Sequence, residues 1–69
     1  MKQNAIEVFA NMVVDRAYRS EDIKVLMDCE RSLNELLPRF HDLEDELATR
    51  IILDIEFIRY KMKRILKDD

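Results

Sequence analysis

Two carboxylates interrupt otherwise apolar helical stripes in this chain: Glu30 stands between Met27 and Leu33, and Glu44 between Leu43 and Leu47. Carboxylates in such positions can ligate metal ions, and His41 lies three residues before Glu44, close enough on a helix for both to reach one ion. Carboxylate-bridged di-metal bundles, however, repeat Glu-x-x-His in that order on two helices. Here the order is reversed and occurs once, which falls short of the ligand set a metal requires. The expectation is no metal and no cofactor. Each glutamate should instead pair with an arginine or lie at the edge of an interface, where it sets register at some cost in stability.

Nucleophilic chemistry has equally little to work with. Cys29, on a helix flank beside Val25 and Leu36, reads as a small buried hydrophobe. As the single cysteine it closes no disulfide within the chain, and the Cys/His spacing of a zinc site is missing. The sequence arranges no Ser, Cys or Asp around His41, and with no glycine there is neither a phosphate loop nor a nucleophile elbow. No catalytic residue is expected, and the chain is not read as an enzyme.

Charge offers two binding surfaces to weigh. Taking Ile51 as the origin of a helical wheel, Arg59, Lys63 and Lys67 fall at roughly 80 to 160°, a basic row that could track phosphates, while Arg50, Lys61 and Arg64 form a separate strip. Asp54 and Glu56 interrupt both strips, and the sequence ends in Asp68 and Asp69, so nucleic acid is the alternative rather than the leading partner. The acidic cluster Asp42, Glu44, Asp45 and Glu46 matches the dipole at a helix start, and it could also face a cationic protein. A net charge of −3 favours neither polyanions nor anionic lipid.

The elements that carry these residues are helices. In 69 residues, 48% are hydrophobic and 39% charged, with one proline, a composition that folds as one α-helical domain and marks no strands. The periodicity places helices at about residues 3–18, 21–37 and 40–66. Ser20, followed by Glu21 and Asp22, reads as the N-cap of the second helix, and Pro38 ends it. The third helix, at about 40 Å, should outreach its two neighbours of about 24 Å. A rival drawing ignores the Ser20 boundary and gives a Rop-like helical hairpin bent at Pro38.

The third helix is apolar on two sides. Phe40, Leu47, Ile55, Ile58, Met62 and Ile65 cluster within roughly 40° of Ile51, whereas Leu53, Phe57 and Tyr60 lie roughly opposite. A helix apolar on opposed faces is normally covered twice, so the expectation is a dimeric helical bundle joined through this helix. Ile52, Leu53, Phe57, Tyr60, Met62 and Ile65 are the candidate dimer or partner interface. The functional expectation is a small, non-enzymatic interaction or regulatory protein that binds another protein as a homodimer. No segment approaches the ~20 apolar residues of a membrane span, and Glu7 is foreign to a secretory signal, so a cytoplasmic location without membrane contact is expected.

Overall fold

A short polar segment, residues 20–22, turns the chain back after its first helix. The computed structural model describes residues 5–40 and 45–67. The first helix, α1 (Ala5–Arg19), ends where the Ser20 hydroxyl accepts a hydrogen bond from the backbone N–H of Asp22 at 3.1 Å. Asp22 is extended (φ −83°, ψ 120°), and its Oδ1 accepts from the N–H of Lys24 at 2.9 Å, capping α2 (Ile23–Leu36). The cap is therefore Asp22 and not Ser20, because the serine hydroxyl is already occupied in closing the turn. This break also overturns the Rop-like hairpin: α1 and α2 are separate helices.

Pro38 acts as expected at the end of α2. Lacking an N–H, it cannot continue the α-helical ladder, and Leu37–Arg39 tighten into a 3-10 turn. The turn closes with the Phe40 N–H donating to the Leu37 carbonyl at 3.1 Å, and Phe40 is extended. A third helix beginning at Arg39 or Phe40 is thereby corrected. The helix α3 runs Glu46–Lys67, starting where Asp45 Oδ1 accepts from the Leu47 N–H at 2.8 Å. Its 22 residues make it about 33 Å long, against about 22 Å for the 15 residues of α1, so the length mismatch is smaller than expected.

The three helices run up, down and up. The start of α1 lies beside the end of α2, where Ala5, Ile6, Phe9, Leu36 and Arg39 share a shallow groove, and Arg16 of α1 pairs with Asp28 of α2 at 3.1 Å. The end of α3 lies beside the start of α2, where Ile65 and Lys61 meet Glu21. Among the described residues there is no strand.

The core is centred on α2 and α3. Leu26, Cys29 and Leu33 of α2 and Ile51 and Ile58 of α3 are almost completely buried, and α1 approaches closely through Ala10 and Ala17. Two alanines with little side chain to separate the helices let the backbone of α1 settle against its neighbours. Leu47, Met62 and Ile65 pack around this core, so the inward stripe of α3 is covered nearly to its end within one chain. No helix among the described residues is long and apolar enough to cross a membrane.

Candidate functional site

The fold divides α3 lengthwise into four strips. Ile51, Ile55 and Ile58 face inward. One edge meets α1: Arg50 Nη2 donates to Asn11 Oδ1 at 2.7 Å, and Phe57 stacks on Tyr18 with ring centroids 4.5 Å apart and planes 27° from parallel. Further along, Lys61 Nζ donates to the carbonyls of Ala17 and Tyr18 at 2.9 and 3.0 Å and lies 3.5 Å from a Glu21 carboxylate oxygen. A cation on the last carbonyls of a helix satisfies acceptors that have no intrahelical donor and opposes the negative end of the dipole. Most of the Lys61 side chain is covered as a result.

The opposite edge meets α2, where Arg59 Nε donates to Glu30 and a guanidinium nitrogen lies 3.7 Å from Glu56. The hydrogen bond to Glu30 and the charge of that carboxylate hold the Arg59 proton more firmly, raising its pKa above the usual arginine value. Glu30 thus has the arginine partner expected of a carboxylate in an apolar stripe. Arg59 is engaged within the chain, which removes it from the free part of the basic row. Lys63 and Lys67 remain exposed.

The fourth strip points outward. Leu53 and Tyr60 keep 63% and 62% of their surface in solvent, Ile52 is exposed to a lesser degree, and Phe57 borders them under Tyr18. Of the six candidate interface residues, the fold brings Leu53, Phe57 and Tyr60 into one patch with Ile52 at its margin. Met62 and Ile65 instead pack against the core of their own chain. On the helical wheel those two belong to the inward stripe.

Of the acidic cluster, Asp45 caps α3 and Glu46 is exposed in its first turn. Asp42, Glu44 and His41 lie outside the described residues. Among the described residues no three His, Cys, Asp or Glu side chains converge on a point that could hold a metal ion. Burial pushes the Cys29 thiol pKa up, with Arg16 opposing and Asp28 adding to the rise, so the group is protonated at neutral pH and a poor nucleophile. Asp54 also has its pKa raised, by desolvation, against the opposing pull of Arg50.

Sequence reasoning missed the role of Lys61 and the orientation of α1. Asn11 of α1 reaches toward α3, while Val8, Phe9 and Met12 of that helix are exposed. No family model, curated protein or solved structure matches the chain.

Proposed function

We propose that this is a small, non-enzymatic cytoplasmic helical protein that acts by binding another protein, and that it works as a homodimer joined through the outer face of α3. The observation that carries the reading is the solvent-facing patch of Leu53 and Tyr60, continuous with the Phe57–Tyr18 stack. Burying one large apolar side chain contributes about 1.5 to 3 kcal/mol, and two-fold pairing would bury each such residue twice. The apolar strip of Val8, Phe9 and Met12 on α1 remains outside that pairing and supplies a separate surface for a different protein.

Sedimentation velocity over a wide concentration range is the direct test. The wild-type chain should dimerise, and Leu53→Glu with Tyr60→Glu should leave a monomer of unchanged helix content, because neither side chain is needed inside the bundle. A wild-type chain that stays monomeric at high concentration would overturn the dimer. For the binding role, a protein captured from the native cell extract should be lost on Met12→Glu. Capture that ignores this substitution would move the partner site away from α1.

A further inference from the structure

The outer strip of α3 is charged in opposite senses at its two ends. Steps of three and four residues lead from Glu46 through Thr49, Leu53, Glu56 and Tyr60 to Lys63 and Lys67, all exposed. This spacing averages 3.5 residues, the repeat that keeps one face of a helix against a partner helix. Resting on the homodimer proposed above, we infer that the two copies meet with their α3 helices antiparallel. The acidic start of one helix, Asp45 and Glu46, then lies against the basic end of the other, Arg64 and Lys67.

Three physical arguments favour this arrangement over the parallel one. A parallel pair would set Glu46 beside Glu46 and Lys67 beside Lys67, so both ends would repel, whereas the antiparallel pair sets acid against base twice. Aligned macrodipoles repel and opposed ones attract. The strip is also self-complementary about its middle: the midpoint of Glu46 and Lys67 is also the midpoint of Leu53 and Tyr60, so a two-fold axis there places Leu53 of each copy opposite Tyr60 of the other. Nucleic acid fits the strip less well, because Arg59 is paired with Glu30 and the exposed Glu56 lies in the phosphate path.

Charge reversal tests the orientation in sedimentation experiments at low salt. Glu46→Lys should weaken the dimer about tenfold, on the scale of two symmetry-related rim contacts, and Arg64→Glu with Lys67→Glu should do the same. Combining all three reversals in one chain should restore most of the affinity. Recovery separates an interface from a fold effect: each reversal opposes the α3 dipole, so a merely structural role would make the triple variant the worst. If the wild type dimerises but ignores every reversal, the antiparallel pairing is wrong while the dimer stands. A monomeric wild type removes the dimer itself. Short duplex DNA that displaces the dimer and is released by Lys63→Glu with Lys67→Glu would assign the strip to phosphate and overturn the proposal.

Discussion

The inner and outer faces of α3 hold similar side chains and do different work. Ile51 and Ile58 face α1 and α2 with none of their surface in solvent, whereas Leu53 and Tyr60, a third to a half turn around the same helix, are mostly exposed. The inner face meets neighbours contributed by its own chain, so its burial stabilises the fold. On the outer face Leu53 and Tyr60 stay exposed, and the proposed pairing is placed there for that reason. Between them run two polar edges, Arg50 and Lys61 toward α1 and Arg59 toward α2, which hold the helix at one rotation about its axis.

Substitutions can break this contrast in order of expected effect. Ile58→Ala on the inner face should lower stability by about 2 to 5 kcal/mol in chemical denaturation, the range for large-to-small changes in a packed core. A loss below that range would mean the inner face is looser than its burial implies. Lys61→Met keeps the apolar stem but abandons the α1 carbonyls, and a loss of about 1 to 2 kcal/mol is expected. At the boundary, Tyr18→Ala removes an aromatic stack, which should appear in thermal melting as about 1 kcal/mol. On the outer face, Leu53→Ser should change folding stability in dilute solution by less than about 0.5 kcal/mol. A large loss there would mean the side chain supports the monomer.

Asp54 sharpens the comparison through pH. Its folded pKa lies above the unfolded value, so the native state binds a proton first on acidification. The penalty of the partly desolvated charge is therefore present at neutral pH and fades as pH falls through the folded pKa. Asp54→Asn should raise the Tm slightly at pH 7, and its advantage over the wild type should shrink in acid. An advantage that grows in acid would reverse the assigned sign.

Much of the helical layout was legible because local rules suffice for it. The break after Arg19 follows from Ser, Glu and Asp in succession, and the end of α2 follows from the missing N–H of Pro38. The identity of the cap was not legible, since Ser20 and Asp22 are both good caps and the choice depends on which one the turn uses. For the candidate site, the wheel correctly separated Leu53 and Tyr60 from Ile51 and Ile58. It could not see that Tyr18 would cover part of Phe57, a contact across 39 residues of sequence. The wheel set Lys61 and Lys63 on separate strips, but it could not show which strip α1 would meet and so which lysine would bind its carbonyls.

Periodicity, capping chemistry and the proline determined from the sequence alone that the chain is helical, that its second helix ends at Pro38, and that its third helix has apolar residues on two sides. These are properties of consecutive residues, and a helix of fixed pitch converts spacing directly into faces. Tertiary structure decided which face is inside, that Met62 and Ile65 pack against the core of their own chain, and that Arg59 and Lys61 are held within the chain. Those outcomes depend on the separation and rotation of packed helices, which the buried alanines of α1 and the isoleucines of α3 set together.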